Sequence, residues 1–230
     1  MLILAFDTSS KTAAVSVLRD QTVLYDTIIN KGLNHSEVLL PGLDEALRVL
    51  NIRMAEIDLF ACTLGPGSFT GLRIGVSTLK GLMLATGKPA AGVSSLSALA
   101  LNADRTESIV CSMMDAGRGQ VYLAYYRYDE NGFLGQLEGA RAIDPHDIVD
   151  HPGDEVIYVG DGAIKYADII RSRTKHKSKI ASPAKQYICG SAVGRLAIEK
   201  FRSGDLLDAV SCAPVYLRSA DALAKKKTVL

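Results

Sequence analysis

The sequence predicts an α/β fold built from two related halves, each a mixed sheet with flanking helices, the second smaller than the first. Three observations predict it. The opening residues alternate apolar and polar as strands do, and from Ser36 the pattern changes to the 3.6-residue period of helices. Strand, helix, strand, helix then follow, which implies crossover connections and a sheet that is parallel there. After the polar stretch "NADRTES" the opening pattern begins again, with Asp115 falling where Asp7 fell.

Each element has its own reason. "LILAFD" is a buried run, "TAAVSVL" follows a short polar link, "RDQ" is a turn and "TVLYDTII" resumes, so three strands form an antiparallel meander. Ser36 to Leu50 carries Leu39, Leu43, Ala46 and Leu50 on one stripe, with Leu40 and Leu47 beside it, and Val38 and Val49 widen the apolar surface beyond one face. "IDLFACTL" is a strand, Thr70 to Thr86 a helix, "PAAGV" a strand and Ser95 to Asn102 a helix. In the second half "SIVCSMMD", "VYLAYYRY" and "FLGQLEGARAI" repeat the meander across the turns "AGRGQ" and "DENG". "EVIYVGDGA" is a strand entering a glycine turn, a helix follows near Ile164 to Arg171, and "RSRTKHKSK" is a basic link. The last helix is expected to be capped by Ser182 and ended by Gly204, before "APVYLR" and a lysine-rich tail. The halves are assigned as residues 1–104 and 105–230, with the boundary near 102 to 107.

Composition narrows the function classes. A hydrophobic fraction of 48% with 22% charged residues supports a packed core, and 26 Lys and Arg against 25 Asp and Glu supply no broad basic surface for independent nucleic-acid binding. Cys62, Cys111, Cys189 and Cys212 are scattered without a C-x-x-C pair, as thiols of a reducing compartment are. The start meets Asp7 too early for a signal peptide, and no run approaches the roughly 18 apolar residues of a membrane span. These features point to the cytoplasm.

The stretch "LGPGSFTGLRIG", Leu64 to Gly75, lies between a strand and a helix, where glycine-rich loops often hold phosphate. A Walker loop would place Lys and then Ser or Thr after its last glycine, but Leu72 and Arg73 follow Gly71. Gly65, Gly67 and Gly71 are one residue too widely spaced for the dinucleotide fingerprint. A structural turn capped by Ser68 or Thr70 and a phosphate cradle both remain open on these residues.

Two strands ending in Asp and folding over turns of small residues resemble the paired phosphate hairpins of actin-like ATPases, members of the ASKHA group with a ribonuclease H-like fold. "FDTSSKT" places Asp7, Thr8 and Ser9 in the first hairpin, and "MDAGRGQ" places Asp115, Gly117 and Gly119 in the second. "YVGDGA" resembles the adenosine turn of the same proteins. The first turn lacks the glycine such loops use for close phosphate approach, so the nucleotide positions read as degenerate. An Asp before Ser or Thr is also an ordinary turn-maker.

Taken in order, "DTSS", "HSEVLLP", "GPGSFTGLRIG", "DAGRGQVY" and "APVYLR" closely resemble the TsaB family, also called YeaZ, over nearly the full length. The resemblance implies a duplicated actin-like fold with a reduced second half. It also implies a non-catalytic scaffold subunit of the bacterial machinery that places threonylcarbamoyl on the adenosine beside the tRNA anticodon. Catalysis would then belong to TsaD, ATP hydrolysis to TsaE and formation of threonylcarbamoyl-adenylate to a separate enzyme. The chain would need no cofactor of its own, with ATP and Mg²⁺ acting through the partner subunits. Its partners would be TsaD in a heterodimer, TsaE, and a second copy when alone, with tRNA met only through the complex and no membrane. The helices after "LNHSE" and "GPGSFTG" would form the docking surface, with Leu39, Leu43, Leu47, Gly71, Arg73, Gly75, Val76 and Lys80 as candidates, one face serving the core and one the partner.

Three other functions compete on the sequence. Peptidase chemistry lacks H-E-x-x-H and G-x-S-x-G, and His35, His146, His151 and His176 are separated and mostly in polar surroundings, without the paired histidines on one helical turn of the TsaD metal site. An independent actin-like ATPase or small-molecule kinase would use the hairpins directly and bind Mg-ATP. Direct tRNA binding would use Arg171 to Lys179, which holds five Lys or Arg but no aromatic to stack a base.

Overall fold

The computed structural model describes residues 1–32, 34–103, 105–174 and 177–217. The first half runs β1 (Leu2–Asp7), β2 (Ala13–Arg19), β3 (Thr22–Ile29), α1 (His35–Leu50), β4 (Leu59–Gly65), α2 (Phe69–Thr86), β5 (Ala90–Ser94) and α3 (Ser95–Ala100). The second runs β6 (Ile109–Gly117), β7 (Gln120–Tyr128), β8 (Leu134–Ile143), β9 (Val156–Val159), α4 (Asp161–Lys165), α5 (Ala167–Arg173), β10 (Ser178–Ile180) and α6 (Gly190–Ser203).

The repeat is exact in topology. One five-stranded sheet has the order β3-β2-β1-β4-β5, and the other has β8-β7-β6-β9-β10. In both, the meander is antiparallel and the last two strands are parallel to the central one. Central β1 is buried on both faces, so its sequence is a continuous apolar run rather than an alternation. Helices α1 and α2 cover the outer face of the first sheet, α3 and α6 fill the space between the sheets, and α4 and α5 cover the outer face of the second. By the assigned bounds the second half is the longer stretch of chain, so what is reduced is its helical cover: α4 and α5 span 5 and 7 residues where α1 and α2 span 16 and 18.

Several expectations need correction. The helix expected from Ser182 to Gly204 is a short 3₁₀ turn, Pro183–Lys185, then an extended link, then α6. Gln186 explains the interruption: its buried carboxamide accepts from Gly160 N–H at 2.6 Å and donates to the Ala181 carbonyl. Gly204 does end the helix, in the left-handed conformation (φ 74°). The helix expected to reach Asn102 stops at Ala100, because the Asn102 carboxamide ties down the carbonyls of Lys185 and Tyr187. The helix near Ile164 to Arg171 is two, broken at Tyr166. Of the basic link, Arg171 to Arg173 belong to α5 and Ser178 to Lys179 to β10, while residues 175 and 176 lie outside the described residues. The lysine-rich tail, residues 218–230, lies outside them as well.

The halves are also not separate along the chain. Helix α6 returns to the first sheet, where Gly190 packs on Ser16 and Gly194 on Leu18. Asp26 of β3 receives the Ser191 hydroxyl at the start of α6, so a strand of the first half caps the last helix of the chain.

Candidate functional site

The first hairpin carries Asp7 at the end of β1, and the structure closes it off. The residue is fully buried; its Oδ1 accepts the Ser9 N–H (3.1 Å), the Ser9 hydroxyl (2.6 Å) and the Thr63 hydroxyl, while Oδ2 has no partner among the described residues. Burial raises its pKa, opposed by the Ser9 and Thr63 hydrogen bonds.

The folded carboxyl holds its proton more tightly than an unfolded one with the ordinary value of 3.8, so its contribution to stability is full below that value and is lost as pH rises through the folded pKa. Asp7→Asn keeps an acceptor for Ser9 and Thr63 without the charge. Its stability relative to wild type, followed by urea denaturation between about pH 4 and 7, is expected to improve with rising pH. A difference independent of pH would contradict this account of Asp7.

The glycine loop answers to the same hairpin. The Ser68 side chain caps α2 by accepting from Gly71 N–H, and the Ser68 N–H donates to the Ser9 carbonyl at 2.7 Å. The Thr8 hydroxyl donates to the Gly71 carbonyl at 2.7 Å. A Cβ on Gly71 would stand 2.0 Å from the Thr8 carbonyl oxygen, and one on Gly67 2.2 Å from that of Ser9. The glycines let helix α2 lie directly on the hairpin backbone. His35 completes this corner with Nε2 2.8 Å from the Ser10 carbonyl; since a carbonyl only accepts, that nitrogen carries the hydrogen.

The second hairpin turns through Gly117, Arg118 and Gly119, all at positive φ. Its acid is engaged differently. Lys165 of α4 places Nζ 3.0 Å and 2.9 Å from the two oxygens of Asp115, and Asp161 accepts the Asp115 N–H at 3.0 Å. Asp115 in turn holds the Lys165 ammonium above its usual pKa, while burial and the Asp115 charge push Asp161 upward. In the adenosine-turn segment, Gly160 N–H is taken by Gln186.

Between the hairpins lies a cleft of about 1170 Å³, lined on one side by Ser9, Lys11, His35 and the start of α2, and on the other by Asp115, Gly117 and Asp161. Asp7 is beneath its floor. The structure thus brings Ser9, Gly71, Arg73, Asp115 and Gly117 to one cavity. Among the described residues no group of three His, Cys, Asp or Glu is placed to hold a metal ion, and no helix is long and apolar enough to cross a membrane.

The candidates on α1 and α2 divide sharply. Leu39, Leu43, Leu47 and Val76 are buried in the core of their own half, and Gly71 and Gly75 face Thr8. The sheet claims most of the stripe that a period of 3.6 finds, while Leu39, Leu43 and Leu47 still edge the grooves between the helices and Gly71 the cleft. Arg73 is exposed and Lys80 half-buried. The outward apolar residues are Leu40 (58% exposed), Val49 and Leu84 (76%), with half-buried Ile74 and Leu82. Leu40 lines two grooves between the helices, of about 330 and 450 Å³. Sequence reasoning missed Thr63, Lys165 and Tyr216. Only "APVYLR", already noted as a motif, carried a signal for the last.

Known proteins share the sequence and the fold. The family model described as TsaD, tRNA N6-adenosine threonylcarbamoyltransferase, matches residues 30–198. The chain is 31% identical over 228 residues to the tRNA threonylcarbamoyladenosine biosynthesis protein TsaB of Bacillus subtilis, covering 98% of this chain and 97% of the relative. It is 30% identical to the protein of the same name in Escherichia coli, covering 95% of each. The solved structure of YeaZ from Pseudomonas aeruginosa superposes with a TM-score of 0.80 at 25% identity, covering 94% of this chain and 99% of that one.

Proposed function

Because this chain belongs to the TsaB (YeaZ) family of tRNA threonylcarbamoyladenosine biosynthesis and has its actin-like fold, we propose that it is a non-catalytic subunit that docks on TsaD and supports threonylcarbamoyl transfer. The observation that carries this reading is that both hairpin acids are already engaged by side chains of this chain. Asp7 is buried under Ser9 and Thr63, and Asp115 is bridged by Lys165. A nucleotide-hydrolysing hairpin needs its acid turned toward Mg²⁺ and water. On this reading ATP and Mg²⁺ act through the partner subunits, TsaE among them, and tRNA is met only through the complex.

The outward apolar face of α1 and α2 supports the docking half. Leu40, Ile74 and Leu82 line grooves between the helices, flanked by Asp44, Arg48 and Arg73. An apolar centre with a charged rim is the composition of a specific interface. The same face serves a second copy of the chain when TsaD is absent.

The test is Asp115→Asn in a reconstituted mixture of TsaD, TsaE and the adenylate-forming enzyme. It is expected to support transfer within about twofold of wild type, whereas loss of a general acid or base costs roughly 10²-fold or more. A loss of that size with the TsaD complex still formed would make Asp115 catalytic and favour the ATPase reading.

A further inference from the structure

Resting on the docking reading above, we propose that Arg73 is a relay, through which an acidic side chain of the protein docked between α1 and α2 acts on the C-terminal strap and on the rim of the cleft. Arg73 is placed for it. Its side chain lines both the cleft and the groove beside Leu40. Among the described residues no ion pair engages it. Its guanidinium lies over the Phe69 ring, 3.7 Å from the centroid, and Phe69 in turn touches the Tyr216 ring with centroids 4.9 Å apart.

Tyr216 lies in a strap that is tied down at several points and followed by Leu217, which packs on the core between the sheets. After α6 the chain returns over the first half: Leu207 N–H donates to the Ala90 carbonyl (2.8 Å), Lys80 Nζ to the Val210 carbonyl (3.3 Å), and Val215 N–H to the Leu64 carbonyl (2.7 Å). Cys212 is buried in the core beneath. Gly65, at φ 130°, supplies the notch, since a Cβ there would stand 2.3 Å from the Val215 carbonyl oxygen. Two of the strap's holds, Lys80 and the Phe69 ring, are on α2, the helix whose outer side forms the docking groove.

The direction of the relay follows from relative strengths. An exposed cation over an aromatic ring is a weak contact, and a carboxylate that meets guanidinium bidentately is a strong one. A docked carboxylate therefore draws Arg73 off Phe69. The ring loses one side of its stack, Tyr216 loosens, and the cleft mouth widens.

The chain contains no tryptophan, so Tyr216→Trp provides a single reporter. In the full-length protein without any partner, adding Arg73→Ala is expected to raise acrylamide quenching of that tryptophan by about twofold, as the stack loses its cation. Unchanged quenching in a variant with wild-type near-ultraviolet dichroism overturns the relay. With Arg73 present, saturating TsaD should produce a similar rise, measured as the difference from the unsubstituted chain with the same TsaD. With Arg73→Ala it should produce none. Calorimetry on the same samples separates the two failures. Bound TsaD without a change in quenching overturns the relay alone, whereas absence of binding overturns the docking reading and the relay with it.

Discussion

Gly71→Val is expected to remove a large share of the protein's folding free energy. The added Cβ would stand 2.0 Å from the Thr8 carbonyl oxygen and 3.1 Å from the His35 ring. Neither side yields cheaply, because the Ser68 to Ser9 and Thr8 to Gly71 hydrogen bonds fix the helix to the hairpin from both directions. Overpacking a well-packed site typically costs 1–3 kcal/mol, and an immovable backbone contact puts this case above that range, at about 4 kcal/mol or more. A domain of ordinary stability has roughly 5–15 kcal/mol to lose. Gly81→Ala is the control. That glycine lies on the exposed side of α2 with nothing within 4 Å of its would-be Cβ, so the alanine should add up to about 1 kcal/mol. Urea denaturation followed by circular dichroism measures both. A Gly71→Val protein within about 1 kcal/mol of wild type would show that the contact between α2 and the hairpin is loose.

Leu40→Glu is expected to leave the fold intact and to cut TsaD affinity by about 100-fold, the effect of losing an interface hot spot. At 58% exposure it touches both grooves, and an exposed substitution of this kind stays within about 0.5 kcal/mol of wild-type stability. Leu43→Glu and Val76→Glu fail in the other way. Each puts a charge into the core under α1 and α2, forfeiting roughly 1.5–3 kcal/mol of apolar burial before the charge itself is counted, so folding is lost first. Calorimetry with thermal melting on the same samples checks the distinction. Full TsaD binding by Leu40→Glu would move the interface elsewhere.

The sequence was most legible where a pattern is local. The meander, the two parallel crossovers and the register of Asp7 with Asp115 all follow from period and order, because strand alternation and helix period are set by neighbouring residues. What was illegible is long-range. Whether Leu43 or Leu40 faces the sheet depends on how α1 rotates against β2, and both residues lie within the same widened apolar surface. Lys165 is fifty positions from Asp115, and only the packing of α4 beside β6 turns an ordinary helix lysine into the partner of the hairpin acid. The spacing of Gly71 signals close backbone approach, but only the folded chain identifies the Thr8 carbonyl as what approaches it. The return of α6 to the first sheet had no local signal at all.

On the proposed function the chain is required for a reaction it does not itself catalyse. The direct measurement is threonylcarbamoyl transfer to tRNA by TsaD, TsaE and the adenylate-forming enzyme, with the chain present, omitted, or replaced by Leu40→Glu. Robust transfer is expected in the first case only, with the folded Leu40→Glu protein as inert as omission. Equal rates with and without the chain would contradict it.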